Sequence, residues 1–96
     1  MSELGQIIDE LYAVVLDRRD NPQDGSYTNY LLDKGVDKIC KKIGEESVEV
    51  VIAAKNGSKG ELTYEIADLL YHLTVLMGTE NITPDDVYQE LRQRRR

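Results

Sequence analysis

Two short acidic patterns carry the chemistry that this sequence offers. Glu45-Glu46-x-x-Glu49 and Glu65-x-x-Asp68 each contain carboxylates three residues apart, a spacing that puts the members of a pair on one face of a helix. Where two such faces meet, the four carboxylates of Glu46, Glu49, Glu65 and Asp68 repel one another. Each then has its pKa raised unless something positive sits among them. A hard divalent cation with oxygen ligands is the direct compensation, and Mg²⁺ is the usual cytosolic candidate. Taken alone, Glu-Glu-x-x-Glu is an ordinary solvated helix face. The second pair is what favours a metal site.

Other chemistries are excluded by residue type. One histidine (His72) and one cysteine (Cys40) cannot supply a zinc site within one chain or the two Glu-x-x-His elements of a di-iron bundle. No calcium loop of regularly spaced acids with a central glycine, no glycine-rich phosphate loop and no G-x-S-x-G occurs. A net charge of −6 opposes general nucleic-acid binding, although Lys34, Lys38, Lys41 and Lys42 cluster, as do Arg92, Arg94, Arg95 and Arg96. The longest apolar run, Val50 to Ala54, is far short of the roughly 20 residues of a membrane span. No signal peptide is expected at the start, and a lone cysteine suits a reducing, cytoplasmic setting.

The elements that must position these acids read as helices. Of 96 residues, 41% are apolar and 31% charged, a globular balance expected to form one domain over residues 1–96. Residues 3–19 carry a helical stripe at Leu4, Ile7, Ile8, Leu11, Val14 and Val15. Asp20 to Gly25 is turn chemistry, and Thr28 to Asp33 is expected to form a short helical turn. A second long helix is expected from Val36 to Lys55, ended by Asn56-Gly57. Ser58 caps a third that runs to Met77 and closes at Gly78. Thr83-Pro84-Asp85-Asp86 opens a shorter fourth helix. The expected fold is all-α, a bundle of three long helices and a shorter C-terminal one, completed by dimerisation.

On a helical wheel with Glu45 at the origin, Glu49, Lys42 and Glu46 fall near about 40°, 60° and 100°. The apolar arc of Ile39, Val50, Ile43, Val36, Ala54, Cys40 and Val51 spans about 120–240°, so Glu46 borders the expected core face and Cys40 is expected to be buried. On the third helix Asp68 and His72 lie to one side of Glu65. Leu62, Ile66, Leu69, Leu73, Leu76 and Met77 form the expected core arc on the other. Packing by those arcs predicts one acidic seam. His72, between Glu65 and Asp68 on the wheel, is expected to orient carboxylates by hydrogen bonding. Tyr64, Tyr71 and Val75 form a second apolar side, expected to seek a partner chain.

Lys42-Ile43-Gly44-Glu45-Glu46-Ser47-Val48-Glu49 and Glu65-Ile66-Ala67-Asp68-Leu69-Leu70-Tyr71-His72-Leu73 resemble the all-α nucleoside triphosphate pyrophosphohydrolases, the MazG-like superfamily. Ser26-Tyr27-Thr28, Lys34-Gly35, Lys38-Ile39 and the Asp68 to Leu73 run narrow the resemblance to phosphoribosyl-ATP pyrophosphohydrolase. It covers roughly residues 3 to 92. It implies hydrolysis of phosphoribosyl-ATP to phosphoribosyl-AMP and pyrophosphate, the second step of histidine biosynthesis. It also implies Mg²⁺, with Mn²⁺ as a substitute, held by Glu46, Glu49, Glu65 and Asp68. Glu45, Glu46 and Glu49 are then candidate catalytic residues, Glu45 by orienting or deprotonating water. Lys42 either contacts phosphate or pairs with Glu46 at i+4. The second phosphate of such a substrate requires another cationic site, for which Lys34, Lys38 and the arginines Arg92, Arg94 and Arg95 are candidates, with hydroxyls from Ser26 and Thr28. Tyr30 stands where some relatives carry a basic residue. The implied partners are a second copy of the chain, as a homodimer, and a separate cyclohydrolase acting next, with neither nucleic acid nor membrane. A house-cleaning nucleotide pyrophosphatase and a non-enzymatic acidic interaction module are the competing readings.

Overall fold

Among the described residues five helices form: α1 (Leu4–Asp20), α2 (Tyr27–Lys34), α3 (Val36–Asn56), α4 (Lys59–Glu80) and α5 (Pro84–Gln93). They are seen in a computed structural model that describes residues 2–95; Met1 and Arg96, the last of the C-terminal arginines, lie outside the described residues. Ser26 Oγ accepts the Asn29 N–H at the start of α2, and Ser58 Oγ accepts the Glu61 N–H at the start of α4, each relieving an otherwise orphaned donor. Thr83 and Asp86 form a reciprocal capping box with Pro84 in the first turn of α5. Gly57, at φ 71°, ends α3 in the left-handed conformation, which turns the chain straight back into α4.

The α3–α4 pair is the most extensive interface, α1 packs on α4, α2 touches α1, α3 and α4, and α5 lies on α1. The core is small. Val15, Leu31, Ile39 and Val75 are fully buried, with Leu32, Ile43, Tyr71 and Leu76 packed around them. No helix among the described residues is long and apolar enough to cross a membrane.

The helices are rotated relative to the sequence expectation. On α3 the buried residues are Ile39, Glu46 and Ala53, one heptad apart, so the interior stripe is centred on Glu46 instead of on the valine-rich arc. Val36, Cys40, Val51 and Ala54 are exposed in consequence. Cys40 is a surface thiol, not a core residue. On α4 the buried residues are His72, Thr74, Val75 and Gly78. The Asp68–His72–Val75 side therefore faces inward, while Ile66 and Leu73 of the leucine-rich arc are exposed. Tyr71 and Val75 belong to the internal core, and of the expected second apolar side only Tyr64 is exposed. The cause is that α1 and α2 also press on this side of α3 and α4, and one strong apolar stripe per helix cannot serve both neighbours.

Two boundaries also differ from expectation. Thr28 to Asp33 is the centre of a complete eight-residue helix, α2, which makes five helices where four were expected. Helix α4 runs through Gly78 to Glu80 and is ended by Asn81 in the left-handed conformation, φ 57°. Gly78 is inside the helix because α1 crosses there: a Cβ on Gly78 would lie 2.6 Å from Val15 Cγ1. Gly78→Ala should therefore lower stability by about 1–2 kcal/mol net, overpacking outweighing the helix-propensity gain. The same change in a Val15→Ala background should stabilise instead. Urea unfolding of the four proteins of this cycle checks both signs.

Candidate metal centre

The two acidic pairs meet where α3 and α4 run side by side. Among the described residues, one carboxylate oxygen each from Glu46, Glu49 and Glu65 lie within 4.8 Å of one another, and so do ligand atoms of Glu46, Asp68 and His72. Glu46 is common to both groups and only 4% exposed, while Glu65 and Asp68 are half-buried and Glu49 lies at the open side. Glu46 Oε2 and Glu65 Oε2 are buried without any hydrogen-bond partner. Buried carboxylate oxygens left in this way are costly, and a divalent cation with an all-oxygen ligand set satisfies them. The donor set fits a hard cation. Beyond Glu49 and Glu65 an open cleft of about 600 Å³ continues past Ile52, Ala53, Gly60 and Tyr64.

Helix α2 supplies a layer behind the acids. His72 is buried, its Nδ1 is 2.8 Å from the Asp68 carbonyl and its Nε2 is 3.0 Å from the Tyr27 hydroxyl. A carbonyl can only accept, so Nδ1 carries the proton and Nε2 accepts from Tyr27. His72 thus ties Asp68 to α2. Tyr27 escaped the sequence reading as a site residue, although the Ser26-Tyr27-Thr28 segment had been singled out; nothing in its local spacing points to a residue 45 positions away. Asn29 was missed too. Its amide donates to the Arg18 carbonyl (2.7 Å) and its Oδ1 accepts the Gln23 N–H (2.8 Å), which fastens α2 to the end of α1.

The remaining sequence candidates divide into those near the acids and those committed elsewhere. Lys42 Nζ lies 3.6 Å from Glu45 and 3.9 Å from Glu46, so both the i+3 and i+4 pairings form. Glu45 itself is exposed at the rim. Lys34 and Lys38 come together at the ring of Tyr30. Ser26 serves as the cap of α2. Thr28 is buried with its hydroxyl bonded to Tyr71. Arg92 on α5 bonds the Tyr88 hydroxyl at 2.9 Å, on a helix that packs on α1.

Residues 8–95 match the family of phosphoribosyl-ATP pyrophosphohydrolase. The chain belongs to that family. Over 90 residues it is 50% identical to phosphoribosyl-ATP pyrophosphatase of Clostridium novyi, covering 94% of this chain and 82% of that protein. The corresponding protein of Streptococcus thermophilus is 54% identical over 92% of this chain and 85% of its own length. The histidine biosynthesis bifunctional protein HisIE of Caldanaerobacter subterraneus subsp. tengcongensis is 56% identical over 93% of this chain. This chain spans only 43% of that bifunctional relative, and 41% of its counterpart in Thermoanaerobacter pseudethanolicus.

The acidic signature of this pyrophosphohydrolase family creates a specific charge state here. Burial, then the Asp68 and Glu49 carboxylates, push the Glu46 carboxyl up to about 8. Hydrogen bonding with Glu49, then burial and the charges of Glu49, Asp68 and Glu61, raise Glu65 to about 7. Glu49, which accepts from both, is held below the usual range. Lys42 loses some affinity for its proton through burial, but the neighbouring Tyr27, Glu45 and Glu46 outweigh this and raise its pKa.

These shifts set a pH dependence. A carboxyl whose folded pKa is raised contributes stability that is complete below its unfolded value, near 4.5, and is lost as pH rises through the folded value. In EDTA the melting temperature should therefore fall between pH 6 and pH 8.5, the window that spans Glu65 and Glu46. Divalent cations displace those protons, so the stabilisation by saturating Mg²⁺ should be larger at pH 8.5 than at pH 6. Thermal melts at the two pH values, with and without Mg²⁺, check the sign. An equal Mg²⁺ effect at both would remove the seam as the binding site.

Proposed function

We propose that this chain hydrolyses phosphoribosyl-ATP to phosphoribosyl-AMP and pyrophosphate, in the second step of histidine biosynthesis, with Mg²⁺ held by Glu46, Glu49, Glu65 and Asp68. Mn²⁺ is the expected substitute. The observation that carries the reading is the pair of orphaned carboxylate oxygens on Glu46 and Glu65 at a four-carboxylate seam, in a chain that matches the family almost end to end. The cytoplasm suits its free, exposed thiol, and the product passes to a cyclohydrolase.

In the reaction, the water oxygen forms a new bond to phosphorus as the anhydride bond between the α- and β-phosphates breaks. Pyrophosphate leaves and the water proton is released. Glu46, Glu49, Glu65 and Asp68 would hold the Mg²⁺, which when bound would supply positive charge against the triphosphate and lower the pKa of nearby water. Glu46, common to both acid groups, and Glu49, at the open side, would hold that positive charge against the reacting end of the substrate at α3. Glu45, at the rim beside Lys42, is placed to orient the water or take its proton. Lys42, kept charged by its acidic neighbours, contacts phosphate at the same edge. Tyr27 and His72 position Asp68. Lys34 and Lys38 receive the second phosphate, and the Ser26 hydroxyl at the other end of α2 is a further candidate contact. Arg92 joins such a site from a second copy.

Pyrophosphate release tests this. Glu46→Gln, Glu49→Gln, Glu65→Gln and Asp68→Asn should each lose at least ~100-fold in turnover with unchanged helicity. Near-normal activity of any two under saturating Mg²⁺ would refute the site. Phosphoribosyl-ATP should exceed ATP by at least ~100-fold in kcat/KM, about 3 kcal/mol of charge-assisted contact. Equal use of the two substrates would instead favour a house-cleaning pyrophosphatase.

The same reading includes a homodimer whose interface completes the bundle. Its support is the apolar surface that one chain leaves uncovered: Val48, Val51 and Ile52 on α3, each more than half exposed, and Ile66 and Leu73 on α4. A groove of about 670 Å³ between α1, α4 and α5, lined by Leu4, Ile8, Leu70, Met77 and Leu91 among others, adds to it. Large exposed apolar patches are uncommon on monomers and mark interaction sites. Light scattering at micromolar concentration should give twice the chain mass; a monomer would refute the dimer.

A further inference from the structure

Tyr30 has two ammonium groups against its ring: Lys34 Nζ at 5.8 Å and Lys38 Nζ at 5.9 Å from the centroid. The two lysines belong to different helices, Lys34 to the last turn of α2 and Lys38 to the first turn of α3. They converge because Gly35, at φ 88°, turns the chain between them. A side chain with a Cβ rarely adopts that backbone conformation. Neither lysine makes an ion pair among the described residues, although the chain carries a net charge of −6. Two neighbouring cations repel, and the electron-rich face of an aromatic ring is what offsets the repulsion here.

The ring is also fixed relative to the acidic seam. Tyr30 stacks on Tyr27 with centroids 5.9 Å apart and planes 20° from parallel. Tyr27 bonds His72, and His72 bonds the Asp68 carbonyl. A continuous run of packed rings therefore links the lysine pair to the α4 backbone at Asp68, the residue that carries one of the carboxylates. The Tyr30 hydroxyl makes no hydrogen bond among the described residues, and the residue is 42% exposed, so its ring is what the surroundings use.

We propose that Tyr30 determines substrate specificity: its ring holds Lys34 and Lys38 as one pocket for a phosphate monoester, at a distance from the acidic seam set by Tyr30 stacked on Tyr27 and Tyr27 packed edge-on against His72. The pocket retains a ligand that carries a monoester phosphate in addition to a polyphosphate. The role in turnover rests on the reading given under Proposed function; the phosphate pocket itself does not.

Ribose 5-phosphate, titrated by NMR into the Mg²⁺-loaded protein, is the direct probe. Tyr30→Phe keeps the ring and should bind within ~2-fold of wild type, whereas Tyr30→Leu should bind ~10-fold more weakly. Lys34→Gln with Lys38→Gln should lose at least as much. In turnover, Tyr30→Leu should raise KM for phosphoribosyl-ATP by ~10-fold with little change in kcat, and lower kcat/KM for ATP by a clearly smaller factor. Circular dichroism confirms that each variant is folded. Unchanged ribose 5-phosphate affinity in Tyr30→Leu would overturn the proposal, as would a Tyr30→Phe defect equal to that of Tyr30→Leu. If wild type fails to cleave phosphoribosyl-ATP while Tyr30→Leu still loses ribose 5-phosphate, the substrate reading falls and the Tyr30 pocket stands.

Discussion

Glu46 sits in the interior stripe of α3, in line with Ile39 and Ala53, and a carboxylate in that place needs either a proton or a cation. The requirement is sharpened by company. Glu49, Glu65 and Asp68 stand around it at the α3–α4 seam, so a proton gained by one is shared with the next. Two oxygens still remain without partners. An apolar side chain at this position would let the helices pack with no further demand. The seam has instead been given to charge, which orders the site at a cost to the stability of the metal-free chain.

The small apolar core and the uncovered apolar arcs have the same origin. Each of the long helices carries an apolar stripe and a polar, acidic one. The fold turns the acidic stripes toward each other and toward α2, which leaves much of the valine-rich and leucine-rich surface outside. Among the described residues four fully buried side chains anchor the core cluster. A chain of this size is marginal on its own, and covering those arcs in the proposed homodimer would supply burial that one chain lacks.

Helix α2 shows how a short element is held where chemistry needs it. Eight residues do not form a stable helix by propensity alone. Its docking comes from polar anchors: Asn29 to the Arg18 carbonyl and the Gln23 amide, Thr28 to Tyr71, and Tyr27 to His72. Each is buried or partly so, where a hydrogen bond is costly to leave unmade. Together they fix the tyrosine ladder, and with it the lysines at the α2–α3 junction.

Much of the architecture was legible in the residues themselves. The serine cap and Asn-Gly stop around Gly57, the Thr83-Pro84 helix start and the i, i+3 acidic pairs all act between residues a turn or less apart, so they read directly from the sequence. So did the meeting of the two acidic pairs, and the pairing of Lys42 with Glu46. What the sequence could not show was the rotation of each helix about its own axis. Both α3 and α4 carry two usable stripes, and which one turns inward depends on α1 and α2 pressing from the same side. Exposure of Cys40, burial of Tyr71 and Val75, and the passage of α4 through Gly78 over Val15 all follow from that choice. Sequence alone determined the helices and the acids that share a face, because those are local interactions. Tertiary structure decided which face became the interior, because that depends on contacts summed over several helices distant in the chain.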